Sequence, residues 1–312
     1  MDPVTHGLVG MALGIKGGGP LSFSNGLMVA SVAGSLLPDV DILFQLWGDY
    51  AYLKHHRGFS HSLPSAIVVS SAGALLLSFF YPSYNFFTLL PWVLLGFLSH
   101  LCLDLLNSYG VKIFWPLNTK KYTLNLLPLF DPVLVFFSLF SLWRYSQGIN
   151  DYLFLWLSGF YFLLRWSLRQ WAKHIIETRF FKKKALLKVS VLPSSMNLLF
   201  WDFIIEQANK NIVGSLNLGK GSYKIFQRLY YESEELISIL SGTVLGQVFR
   251  EFTPFFHMHS EKKGDKLVCH FMDLRYRVQD RFLHNGTLVL NQKGEVEQAV
   301  FQPYSSSHCI YL

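Results

Sequence analysis

The run from Phe86 to Asn107 limits what this chain can become. It is long and apolar enough to cross a bilayer, and it carries no ionisable group until its last two turns. There His100, Asp104 and Asn107 stand at i, i+4 and i+7, so a helix places them along one face. A histidine and a carboxylate one turn apart can grip one metal ion, with nitrogen and oxygen donors that suit zinc or manganese. Their burial at the end of a membrane-length helix is costly unless they are paired or liganded. The plainer alternative is a satisfied polar pair that packs two helices. The rest of the chain must therefore supply partners.

The composition is that of a membrane protein, but unevenly: 51% of the residues are hydrophobic and 15% charged, and the long apolar runs lie before about residue 170. Charge and alternation return from Lys173, which predicts a membrane helical domain over 1–184 and a smaller soluble domain over 185–312. The three cysteines, Cys102, Cys269 and Cys309, form no CxxC pair, so cysteine builds neither a zinc site nor a disulfide framework. Much of the net charge of +7 follows the last apolar run, at Arg165, Arg169, Lys173, Arg179 and Lys182 to Lys184. A basic amphipathic segment there fits anionic lipid headgroups, with nucleic acid the less favoured partner. The N-terminus carries Asp2 where a cleavable signal would carry Lys or Arg.

Asp2-Pro3 reads as N-cap and first helical residue of a short Gly-rich helix that stops at Gly17-Gly18-Gly19-Pro20, with His6 in its first turn. His6 is a candidate ligand or a packed residue. The next run, Leu27 to Leu37, ends in PDVD, so Asp39 and Asp41 sit where a helix C-terminus disfavours negative charge. A metal ion or a basic side chain must compensate them, and two carboxylates so close can bridge or share ions. The segment KHHRGFSHSLP, residues 54–64, then offers His56 and His61 as ligands, His55 as ligand or supporting residue, and Arg57 as a fork for a phosphate oxygen or as a topology signal. Helices are expected over Pro64–Phe80 and Phe86–Asn107, then over Val133–Trp143 and Tyr152–Leu168, for five to six apolar helices in all. Asp131-Pro132 repeats the cap signature, with Asp131 a cap or a supporting residue of the site.

Charge bias gives an orientation. With the C-terminal domain cytoplasmic, Lys54, Arg57, Lys112, Lys120 and Lys121 fall inside, while Lys16 and Arg144 fall outside. The same count brings His6, Asp39, Asp41, the 55–61 cluster, His100, Asp104 and Asp131 to one inner face, as a polynuclear metal site requires. Beyond residue 185, KVSVLP, LLFWDFIIEQ, NIVGSLNL, YKIFQRLYYE, KLVCHFMDLRYRV and a hairpin turning at Lys293-Gly294 predict an antiparallel β-rich domain. His257 and His259, two apart on a strand, lack a convergent carboxylate pattern.

MDPVTHGLVG, LLPDVDIL, HHRGFSHSL and HLCLDLLNSYG, in that order, resemble the YdjM family of inner-membrane-bound, metal-dependent hydrolases, also labelled LexA-binding. The tail resembles that of YfhP-like members. The family is considered similar to the zinc-dependent phospholipase C and nuclease superfamily, which has a helical fold. The resemblance implies metal ligands at His6, Asp39, Asp41, His56, His61, His100 and Asp104, and a phosphoester-hydrolysing activity on divalent metal, zinc foremost and manganese next. In that scheme Asp39 or Asp41 acts as base or bridging ligand and Arg57 stabilises developing charge, with His55, Asn107 and Asp131 in support. A phospholipid or another phosphoester at the inner face of a bacterial cell membrane is the expected substrate. The alternative is a non-catalytic scaffold or regulator with a structural metal, whose C-terminal domain binds a protein partner. A transporter is disfavoured because the polar groups gather at one face rather than at mid-bilayer.

Overall fold

The computed structural model describes residues 1–55, 57–180, 188–194, 197–278, 281–303 and 308–312. It divides into two compact units: Met1–Leu46, His55–Arg169 and Pro193–Leu198 form one, and Trp47–Lys54, Gln170–Leu192 and Leu199–Leu312 form the other.

The first unit is helical. Helix α1 (Pro3–Gly14) begins as its sequence predicts: the Asp2 carboxylate accepts the Thr5 N–H at 2.9 Å, and Pro3 follows the cap. Helix α2 (Gly26–Leu36) is capped by Asn25 and passes into a 3₁₀ stretch, Leu37–Trp47, which holds Asp39 and Asp41. The short α3 (Asp49–His55) precedes a 3₁₀ turn at Phe59–His61. Ser62 and Ser65 close a capping box that starts α4 (Leu63–Phe80), and α5 (Phe86–Leu106) carries the His100/Asp104 end. Asp131 caps α6 (Pro132–Ser146). Helix α7 (Leu153–Phe180) runs without interruption from apolar sequence into the basic stretch. Among the described residues three segments, Gly26–Trp47, Leu63–Phe80 and Phe86–Leu106, are long and apolar enough to span a membrane.

Small residues let α2 and α5 touch. A Cβ at Gly34 would stand 2.0 Å from the Val93 carbonyl oxygen, and one at Gly96 2.0 Å from that of Ser31. Side chains at either position would drive the two backbones apart. This close approach holds the C-terminal end of α2 against the His100 turn of α5. The segment after α5 folds back on that helix, with the Leu124 and Leu126 amides donating to the Leu105 and Leu106 carbonyls at 2.7 Å.

The second unit is β-rich. Strands β1 (Lys188–Pro193), β2 (Phe200–Glu206), β3 (Lys210–Asn217) and β4 (Ser222–Tyr230) form a four-stranded sheet in that order, antiparallel where β2 meets β3 and β3 meets β4. Helices α8 (Glu234–Gly242) and α9 (Val244–Phe252) follow. The second sheet is antiparallel, in the order β11-β10-β9-β6-β5, from β5 (Phe256–Lys263), β6 (Lys266–Asp273), β9 (Asn285–Leu290), β10 (Val296–Gln302) and β11 (Ile310–Tyr311). A small pair, β7 (Arg277–Val278) and β8 (Arg281–Phe282), interrupts the chain between β6 and β9. The β9–β10 hairpin turns at Gly294, whose φ of 80° explains the glycine. Leu192, Ile204, Val213, Phe255, Leu274 and Phe282 form one core, and the Phe249 ring meets Phe271 and Phe301 in another. Helix α9 was not legible in the sequence.

Two histidines are buried in this unit without being near the His/Asp motifs. Burial pushes His257 and His284 down to about 4; the His259 charge adds to the effect at His257 and Glu232 opposes it, while Asp273 opposes it at His284. The unfolded chain takes up these protons below about pH 6.5, but the folded chain does so only near pH 4. Stability of the unit is therefore full above pH 6.5 and falls as pH drops towards 4, by roughly 3 kcal/mol per histidine at most. The fully buried Cys269 thiol reports opening of this unit. In a Cys102→Ser/Cys309→Ser background, the urea midpoint for its modification should be lower at pH 5 than at pH 7, and His257→Gln/His284→Gln should flatten that difference.

Candidate metal centre

Four elements of the helical unit deliver ionisable side chains to one buried point. His6 comes from the first turn of α1, Asp39 from the 3₁₀ stretch after α2, His61 from the turn before α4, and His100 with Asp104 from α5. His6, His61, His100 and Asp104 are at most 1% exposed, and Asp39 is the member with access to solvent.

The centre is a pair of imidazoles. Nε2 of His61 lies 3.1 Å from Nε2 of His100. Asp39 Oδ1 stands 3.5 and 3.7 Å from these two nitrogens, and Asp104 Oδ2 3.6 and 3.7 Å. The His6 ring stacks on that of His100, with centroids 3.7 Å apart, and its Nε2 is 3.5 Å from Asp104 Oδ1. Two sets of donors fall within 4.8 Å of one another: His6, Asp39 and His100, and His61, His100 and Asp104.

The outer nitrogens of the pair decide its chemistry. His100 Nδ1 is 2.8 Å from the Ser35 carbonyl oxygen, which can only accept, so Nδ1 carries the proton and Nε2 a lone pair. His61 Nδ1 is 2.9 Å from Ser60 Oγ, and that hydroxyl donates to Asp41 Oδ2 at 3.2 Å. The hydroxyl has one hydrogen, so it accepts from Nδ1–H, and His61 Nε2 also presents a lone pair. Two lone pairs facing each other at 3.1 Å in a buried site repel unless a proton or a metal ion lies between them. Metal–donor bonds of about 2.0–2.1 Å in a tetrahedron place the donors roughly 3.3 Å apart, close to the spacing found here.

Orphaned atoms point the same way. Asp104 Oδ2 is buried without a hydrogen-bond partner, and so are both nitrogens of His6. Such atoms cost about 1–3 kcal/mol each when left unsatisfied. The opposite oxygen of Asp104 is saturated instead. Oδ1 accepts from the Met1 amino group, from Arg57 at 3.3 Å and from Asn107 Nδ2 at 2.8 Å, while Oδ2 faces the centre with Arg57 Nη2 3.2 Å away. The residues present fit a divalent ion with nitrogen and oxygen donors. Because Ser35 occupies Nδ1 of His100, the two donor sets share a single nitrogen of that residue and overlap.

The remaining candidate residues fall around this point. Asp41 meets the Nδ1 side of His61, at 3.5 Å, and also accepts the Arg57 N–H at 2.9 Å. Arg57 is buried, with φ of 58°, a left-handed conformation that a non-glycine residue keeps only where its surroundings enforce it. Its guanidinium pairs with Asp104 at 3.2 Å and Asn107 at 3.3 Å and lies over the Tyr109 ring. Asn107 ends α5 and ties Asp104 to Arg57 while accepting the amides of Tyr109 and Gly110. Asp131 instead receives the Val133 and Leu134 amides and the Tyr161 hydroxyl, so its contacts are those of a helix cap. His56 lies outside the described residues, as does the side chain of His55. Sequence reasoning missed Ser60 and Ser35. Ser60 sits inside the recognised HHRGFSH stretch, whereas a backbone carbonyl carries no residue signal at all.

A helical membrane unit with a buried His/Asp cluster, followed by a β-rich unit, defines a class of membrane-embedded proteins with a candidate metal centre. The chain belongs to the YdjM inner membrane protein family, whose model matches residues 1–172, and residues 235–309 match the YfhP C-terminal alpha/beta plait domain. It is similar to the "Uncharacterized protein YfhP" of Bacillus subtilis (strain 168), 27% identical over 295 residues that cover 90% of this chain and 89% of that protein. No solved structure matches it.

The Asp41–Ser60–His61 chain should matter without touching the ion. Asp41→Asn or Ser60→Ala is expected to weaken zinc binding by about 10–100-fold, in a competition titration against a chromophoric chelator. Unchanged affinity in both variants would mean that His61 needs no such support.

Proposed function

We propose that the protein is a membrane-bound, metal-dependent hydrolase that acts on a phosphoester at the cytoplasmic face of the cell membrane. The observation that supports this reading best is the pair of His61 and His100 Nε2 atoms, 3.1 Å apart and flanked by Asp39 and Asp104. His6, Asp39, His61, His100 and Asp104 form the proposed ligand shell, and their imidazole and carboxylate donors suit zinc first and manganese second. A divalent ion bound there would supply Lewis acidity and lower the pKa of a coordinated water. Asp39, the half-buried member, is placed to accept the proton of an attacking water that reaches the centre from its side. Asp41 orients His61. Arg57 neutralises Asp104, and its Nε, buried without a hydrogen-bond partner, is the edge left for a substrate oxygen.

In this reading α6 and the apolar half of α7 join the three spans in the bilayer, with α1 packed among them. The excess of Lys and Arg in the loops between α3 and α4 and after α5 supports a cytoplasmic C-terminal domain. A lipid headgroup is the favoured phosphoester because the helices that carry the site are themselves apolar enough to lie in lipid.

Burial favours a second reading. Four of the five donors are at most 1% exposed, as in a closed structural site, and the protein would then be a scaffold or regulator whose C-terminal domain holds a protein partner. The two readings differ in coordination. Protein purified in detergent without chelator should contain bound zinc or manganese by elemental mass spectrometry, and Asp104→Ala and His100→Ala should lose it. Manganese-loaded protein should show an exchangeable water ligand by electron–nuclear double resonance, and phosphodiester turnover should follow metal content. Bound metal without exchangeable water would favour the scaffold. Full metal content in both variants would remove the assignment altogether.

A further inference from the structure

Strand β4 is the outer strand of its sheet, and its edge carries cations that lack acids. Lys224 and Arg228 are exposed along it, Lys220 is exposed in the turn before it, and Lys210 stands directly across from Tyr230 on β3. Among the described residues none of these four has a carboxylate within ion-pair distance. Other lysines of the same unit are paired: Lys188 with Glu206, Lys263 with Glu261, and Lys266 with Glu297. Four cations without an acid thus gather on or beside β4. Edge lysines also discourage strand-to-strand aggregation, but that role needs no aromatic partners.

Here several of the cations lie over rings. Arg179 lies over Tyr223, Lys224 and Arg277 over Phe226, and Lys210 over Tyr230, with the Arg277 guanidinium 3.1 Å from the Phe226 centroid. Cation and ring hold each other in place, so the charges form an ordered strip rather than a set of free side chains.

We propose that this strip is a docking surface for anionic membrane lipid. A strip of unpaired cations selects a polyanion, and Tyr and Lys together are the side chains that settle at a headgroup layer. Single-stranded nucleic acid is the other polyanion to consider. It binds such surfaces by stacking bases on open aromatic faces. On this edge the ring faces are already covered by the protein's own cations, which favours phosphate contact over base stacking.

The test uses the full chain in nanodiscs of phosphatidylcholine alone or mixed with phosphatidylglycerol, with hydrogen exchange read over residues 222–230. Anionic lipid should slow exchange of β4 several-fold at about 0.05 M salt, and the effect should vanish at about 0.5 M, where screening is short-ranged. The triple variant Lys210→Glu/Lys224→Glu/Arg228→Glu should lose the effect, and Lys210→Arg/Lys224→Arg should keep it. Unchanged protection of the inner strand β3 shows that both variants remain folded. Equal exchange in the two lipid compositions would overturn the proposal. So would stronger protection by a single-stranded oligonucleotide in neutral nanodiscs than by anionic lipid, which would assign the strip to nucleic acid.

Discussion

Two imidazoles that face each other through Nε2 in a buried site repel unless a proton or a metal ion lies between them. The rest of the helical unit is arranged to hold them together. Ser35 holds the His100 ring from behind, and Ser60 with Asp41 holds that of His61. Neither ring can rotate to relieve the repulsion without breaking a buried hydrogen bond. The Ser35 contact depends in turn on α2 lying against α5 closely enough for Gly34 and Gly96 to meet the opposing backbones. The small residues of these helices are thus part of the centre, although none touches it.

Asp104 shows how one carboxylate is divided between structure and chemistry. Its Oδ1 collects the Met1 amine, Arg57 and Asn107, and its Oδ2 lies beside the imidazole pair with Arg57 3.2 Å away. A carboxylate stripped of water is costly, and the cations beside it offset that cost. The same cations limit how much charge an incoming ion must neutralise. Arg57 is central to this balance: its backbone amide fixes Asp41 while its side chain fixes Asp104, and its left-handed backbone lets one residue do both.

Much of this was legible in the sequence because it depends on spacing. The i, i+4 relation of His100 and Asp104, the caps at Asp2 and Asp131, and the strand alternation after residue 185 follow from helix and sheet periods. Convergence of His6, Asp39, His61, His100 and Asp104 was legible only through topology, since segments that alternate across a bilayer return to the same side. Position within the cluster was not. Asp39 and Asp41 are equivalent in a sequence, yet the 3₁₀ backbone turns one towards the Nε2 pair and the other towards His61 Nδ1. Asp131, expected on the same face, spends its oxygens on helix amides and Tyr161. The carbonyl that takes the second nitrogen of His100 has no side-chain signature either.

The centre and the β4 edge share one physical problem at different depths. In the helical unit, ionisable groups are few, deeply buried and matched against one another almost atom for atom, and the deficit that remains is cationic. At the β4 edge the charges are exposed and in excess, and the deficit is anionic. A phosphoester in a lipid headgroup is the kind of molecule that answers both, since its phosphate suits a divalent ion at one point and a row of cations at the other. The two surfaces are nevertheless energetically separate. Screening by salt weakens the exposed strip and leaves the buried cluster almost untouched, so ionic strength can tell attachment at a membrane surface from chemistry within it.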